Sequence, residues 1–188
     1  MQTTELFGGA IVAPVFDSFS DASQFRQVPD NQEVFVDSNT QQSLIYELLE
    51  QVEAQNEQVA QHHFQQLADD NDAKECKIIS MEVLCPQNVS PHLPQDTTEI
   101  YAVQGEQKVA KFNEADAFNT VEIVLVVVRL TNVKADFVIS INAPAKLAQA
   151  SSEQKSVNYA SAVTIDTVKQ EMLAILKGLQ VRDWSLFQ

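Results

Sequence analysis

The chain has 188 residues, 45% of them apolar, which is enough for one domain with a full core. Its 26 acidic and 12 basic residues give a formal charge of −14. That balance excludes nucleic acid and an anionic membrane surface as natural partners, because phosphate binding needs clustered Lys and Arg. It fits a basic protein surface, through an attraction that salt weakens.

The first ten residues lack a basic stretch and a long apolar run, so no signal peptide is expected. Gly8-Gly9 separates two short apolar segments and predicts a hairpin-like or bulged entry. No G-x-G-x-x-G and no Walker lysine follows, so a phosphate loop is set aside. Ser18 to Phe25 is cap-rich and predicts at most a helical turn at DASQF. Pro29, Asp30 and Asn31 are turn formers, and Glu33 to Val36 reads as a short strand.

Ser38 followed by Gln41 has the form of a capping box. A helix is expected from about Asn39 to Val52. On a wheel of about 100° per residue, Leu44, Ile45, Leu48, Leu49 and Val52 share one arc. Glu47 and Glu50 fall opposite, as neighbours on one exposed face. A second helical pattern places Val59, Ala60, His63, Phe64 and Leu67 on one side and His62 on the other. That spacing does not let His62 and His63 share a metal, and the third histidine, His92, lies in a proline-flanked loop. No metal or cofactor is expected.

Glu75 to Cys85 reads as a strand. Cys76 and Cys85 are expected to be reduced, buried thiols of a cytosolic or nuclear protein. Pro86 to Thr97 reads as an exposed loop. Thr98 to Ala110 reads as two strand arms around a turn at Gly105. Val121 to Leu130 is apolar on both alternating faces and predicts a central strand covered on both sides. Its run Ile123 to Val128 is too short to span a bilayer, so no membrane insertion is expected. Thr131 to Lys134 makes a hairpin with the next strand, which places Phe137, Ile139 and Ile141 on one face. Ala143 to Ser161 reads as a long surface loop. A last helix begins near Thr164, lined by Ile165, Val168, Met172, Ile175, Leu176 and Leu179, with Gly178 as its terminating glycine. The tail Trp184, Leu186, Phe187 is apolar enough to pack on the domain.

Short turns between strands require antiparallel pairing, and a strand apolar on both faces requires a layer on each side. The expected fold is therefore α/β in the α+β sense: an α/β/α sandwich around a mainly antiparallel sheet of roughly six strands. No G-x-S-x-G elbow and no H-E-x-x-H is present, and no carboxylate pair is placed in an apolar pocket. The residues alone describe an acidic α/β protein binder.

LFGGA, then R-x-VPDNQEVFV at Arg26 to Val36, then QSLIYELLE at Gln42 to Glu50, resembles the Mog family of Ran guanine nucleotide release factors. VVVRLTNVKADFVISINAP at Val126 to Pro144 and the ending D-W-S-L-F fit the same family in the same order. The resemblance implies a single Mog-type Ran-binding domain over 1–188 with a PsbP-like α/β/α sandwich. It implies binding to the small GTPase Ran, GTP-bound or nucleotide-free, release of its guanine nucleotide without bond chemistry, and support of nuclear protein import. It implies a place in the nucleus and also the cytoplasm. The alternative is a non-catalytic Ran-GTP adaptor or scaffold, and a second Ran-binding protein is a further candidate partner. The family's Ran-binding carboxylates map to Glu47, where some members have Asp, and to Glu50. The polar turn Asp30, Asn31, Gln32 and Glu33 falls beside them. The acids would act either on the GTPase's phosphate-binding lysine or on its magnesium.

Overall fold

The computed structural model describes residues 1–110, 118–146 and 163–187. Strands β1 (Gln2–Leu6) and β2 (Ile11–Val15) form an antiparallel hairpin. Its 3-10 turn, Phe7–Gly9, puts Phe7, Gly8 and Gly9 at φ 50°, 66° and 90°, so the glycine pair supplies the positive φ that the turn needs. A two-residue strand β3 (Ser20–Asp21) precedes one 3-10 turn at Ala22–Gln24, capped by Asp21. Strand β4 (Gln32–Asp37) follows, with Gln32 N–H donating to Pro29 C=O at 2.9 Å to close the polar turn.

The segment read as the first helix is strand β5 (Gln42–Glu50), paired with β4 on one side and β9 (Ala135–Lys146) on the other. Ser38 and Gln41 do not cap a helix. They sit in the β4–β5 turn, where Gln41 takes φ 60° and its side-chain amide donates to Ser38 C=O at 2.8 Å. The physical reason is two-sided burial. Leu44, Tyr46 and Leu48 face one core and Leu49 the other, so period-2 alternation is blurred and the apolar residues mimic a helical arc.

Helix α1 (Gln58–Asp70) buries Val59, Ala60, His63 and Phe64 as its periodicity predicts, and His62 is exposed. Strand β6 (Glu75–Leu84) and the one-turn helix α2 (Pro86–Val89) lead to β7 (Thr98–Ala110). The loop after Pro86 is only partly exposed, since Ser90 and Leu93 are buried. Strand β7 runs straight through Gly105. No turn forms there, because glycine is required by packing: a Cβ would meet the Phe64 ring at 2.3 Å. Strand β8 (Phe118–Leu130) pairs with β7 and β9, and the predicted hairpin turns at Thr131–Lys134. Helix α3 (Ile165–Gly178) buries Val168, Met172, Ile175 and Leu176, with Thr164 Oγ accepting from Thr167 N–H. Gly178 does not end it by a left-handed turn; it admits Pro14, whose Cγ would lie 2.3 Å from a Cβ. Strand β10 (Gln180–Val181) adds to β2, and Trp184, Leu186 and Phe187 pack half-buried on the core.

Among the described residues the main sheet has seven strands in the order β3-β4-β5-β9-β8-β7-β6, all antiparallel, where roughly six were expected. On one face lie α3 and the small sheet β1-β2-β10, around Leu44, Tyr46, Phe137, Ile139 and Val126. On the other lies α1, over Tyr101, Val103, Ile123, Leu125 and Val127. The α/β/α sandwich holds, with one outer layer part helix and part sheet. Strand β8 is interior and buried on both faces, and Phe137, Ile139 and Ile141 share one core. Both cysteines are free, as read, but exposed rather than buried: β6 is an edge strand, and Cys85 lies just past its end. Of the loop expected over 143–161, residues 143–146 belong to β9 and the rest lies outside the described residues.

Candidate protein-binding face

The β4–β5 hairpin builds the acidic site. Gln32 stands opposite Glu47 in the register, on the face of the sheet that α1 partly covers. Its side-chain amide donates to Glu47 Oε1 at 2.8 Å, and Asn31 Nδ2 donates to the same oxygen at 3.4 Å. Asn31 also extends the ladder one residue past the strand. Leu48 N–H donates to its C=O at 2.9 Å, and Asn31 Nδ2 returns a bond to Leu48 C=O at 3.3 Å. The turn formers thus fix a half-buried carboxylate with neutral donors only. Glu47 Oε2 accepts no hydrogen bond among the described residues.

The remaining predicted residues separate. Asp30 and Glu50 are exposed. Glu50 does not neighbour Glu47 on one face, because residues three apart on a strand point to opposite sides. It marks the end of β5, opposite Ala135. Glu33 points to the other face, where its carboxylate accepts from Phe7 N–H at 2.7 Å and anchors the left-handed turn of the first hairpin. Five of the six named residues therefore lie along the rim of the β4–β5 hairpin, and Glu33 supports it from behind.

The sequence reading missed a buried clasp beside this rim. Arg129 and Asp136 are register partners on β8 and β9. The guanidinium donates through Nε to Asp136 Oδ1 at 2.7 Å and through Nη2 to Oδ2 at 2.9 Å. It also grips the strand-to-helix linker, donating to Val52 C=O at 2.9 Å and Ala54 C=O at 2.7 Å. His63 Nε2 meets Asp136 Oδ2 at 2.9 Å, and Val52 N–H donates there at 3.2 Å. Burial pushes the Asp136 carboxyl up, but the bonds from Arg129, His63 and Val52 outweigh it and hold the group at about 2. The legible signal was a charge, Arg129 and Asp136, set among the apolar residues of each of two paired strands.

No group of three or more His, Cys, Asp or Glu residues is placed to hold a metal ion among the described residues. No helix among them is long and apolar enough to cross a membrane. The arrangement is an α/β/α sandwich with a half-exposed carboxylate, held by neutral amides, at the rim of one hairpin. The chain belongs to the family described as the Ran-interacting Mog1 protein, whose model matches residues 4–144. It is 35% identical over 183 residues to the Ran guanine nucleotide release factor of Danio rerio, covering 97% of each chain. It is 33% identical over 187 residues to the probable Ran guanine nucleotide release factor of Dictyostelium discoideum, covering 97% of this chain and 94% of the relative. The crystal structure of the Saccharomyces cerevisiae Ran-binding protein Mog1p superposes with a TM-score of 0.72 at 29% identity, covering 100% of this chain and 98% of that one.

Proposed function

We propose that this protein binds the small GTPase Ran, GTP-bound or nucleotide-free, and promotes release of its guanine nucleotide in support of nuclear protein import. It works as one Mog-type unit over the whole chain, in the nucleus and the cytoplasm, without making or breaking a bond. The observation that carries the reading is Glu47: a fixed, half-exposed carboxylate bonded only by neutral amides. Such a group is short of a cation, and a partner's lysine or arginine supplies one. The chain's charge of −14 favours encounter with a basic surface. The names of the relatives, release factor and nuclear import protein, agree with this use. Release follows by linkage if the protein binds nucleotide-free Ran better than loaded Ran.

The test is release of a fluorescent guanine nucleotide from Ran. Acceleration by the wild-type chain, lost in Glu47→Lys, is the expected result. Binding without acceleration makes the protein a Ran adaptor instead. Acceleration that survives Glu47→Lys removes the rim from the site.

A further inference from the structure

Glu47 and Glu50 stand on one strand but are held by different means. Gln32 and Asn31 hold the Glu47 carboxylate directly, and β4 and β9 pair with its backbone on both sides. Glu50 has neither support. The ladder to β4 stops with Asn31, so Leu49 and Glu50 have β9 as their one neighbouring strand among the described residues. The Glu50 side chain is exposed and makes no hydrogen bond or ion pair among the described residues. Its direction is therefore set by the backbone that carries it.

That backbone is fixed from its far side by Arg129. Just past Glu50, Gln51 N–H donates to Lys134 C=O at 2.9 Å, and Val52 N–H donates to Asp136 Oδ2 at 3.2 Å. Arg129 then takes two carbonyls in its fork, Val52 C=O at 2.9 Å from Nη2 and Ala54 C=O at 2.7 Å from Nη1. The guanidinium is buried, so water does not compete for these bonds. It is itself locked by Asp136 through Nε and Nη2. An ion pair that only neutralised a buried charge would need Asp136 and neither carbonyl. The two further bonds set where the chain leaves the sheet, and lysine, with one ammonium, has no such fork.

We propose that Arg129 is a positioning residue for partner binding: its grip on Val52 and Ala54 holds the end of β5 so that Glu50 meets the basic partner in one geometry. The inference rests on the reading that the acidic rim binds Ran. By the strand registers, Asn31, Glu50 and the 131–134 turn share one end of the sheet, the end where the rim lies. A loose strand end would have to be ordered at the moment of binding, and Arg129 has ordered it beforehand. Glu47 has its own supports, so the effect of Arg129 runs through Glu50.

The experiment measures Ran affinity for variants of the full chain combined as double-mutant cycles. Arg129→Lys keeps a charge beside Asp136 but loses the fork. It should weaken Ran binding by about fivefold in the wild type and in Glu47→Ala, yet by less than about twofold in Glu50→Ala. Hydrogen exchange at the Gln51 and Val52 amides should be slow in the wild type and faster in Arg129→Lys. Phe64→Leu opens a cavity under α1 without touching the linker. It should melt lower and bind Ran as the wild type does. Three results would overturn the proposal and leave the rim reading standing: Ran affinity unchanged in Arg129→Lys, an Arg129→Lys loss that persists in full in Glu50→Ala, or an equal loss in Phe64→Leu. Should Arg129→Lys fail to fold, fast exchange of the Val52 amide in the wild type would overturn it with no variant. Ran binding that survives Glu47→Lys removes the rim reading, and this proposal goes with it.

Discussion

Glu47 and Asp136 lie on neighbouring strands of one sheet and point to the same side of it, yet they are opposite kinds of carboxylate. Asp136 is fully buried and takes bonds from Arg129, His63 and the Val52 N–H. Glu47 is half-exposed and takes bonds from two neutral side-chain amides. A buried charge survives only if fully partnered, whereas a charge held by amides at a rim stays available to a cation from outside. The first is used up inside the fold, and the second keeps an oxygen open to solvent.

Substitution at the buried group should have the largest effect. Asp136→Ala leaves the Arg129 guanidinium buried without its carboxylate and should cost about 3–5 kcal/mol of stability in urea unfolding. Acid should attack the same group. The unfolded carboxyl titrates at 3.8 and the folded one at about 2, so the folded state favours the ionised form. Its contribution is whole above 3.8, shrinks as pH falls, and is gone below about 2. A pH series of wild type and Asp136→Asn should converge toward the acid end, and parallel curves there would remove Asp136 from the account of acid unfolding.

At the rim the effect should move from stability to binding. Glu47→Lys should weaken Ran binding by about 2–5 kcal/mol in calorimetry, because repulsion replaces attraction, and Glu47→Ala should do so by less. Thermal melting of Glu47→Ala should fall by no more than about 1 kcal/mol equivalent, since Gln32 and Asn31 turn to water for their lost acceptor. A collapse of melting in that variant would erase the contrast with Asp136. Glu50→Ala should change stability by less than about 0.5 kcal/mol, as exposed side chains without partners do. Asn31→Ala is the finest test. It should weaken Ran binding less than Glu47→Ala, because Gln32 still holds the carboxylate at 2.8 Å.

The sequence was most legible where one pattern had one meaning. Strands β8 and β9 carry apolar residues on both faces or alternate cleanly, and a four-residue turn leaves only a hairpin. Strand β5 was misread because Leu44, Ile45, Leu48 and Leu49 satisfy a helical arc as well as a strand buried on both sides. The choice is made by pairing with β4 and β9, which no local window contains. That error carried over to the site. It made Glu47 and Glu50 neighbours, when the strand turns them to opposite faces and joins Glu47 to Gln32 and Asn31 instead. Gly105 and Gly178 were read as backbone punctuation. Their actual neighbours, Phe64 and Pro14, come from distant parts of the chain and leave no local mark.

The small sheet has a consequence for synthesis. Val12 of β2 pairs with Gln180 of β10, and Arg182 N–H donates to Ala10 C=O at 2.8 Å, so contacts at the start of the chain await residues near its far end. Helix α3, which closes the same core, also comes late. A growing chain therefore exposes the apolar faces of β1, β2 and β5 until α3 and β10 have been made, an interval in which those faces can pair wrongly.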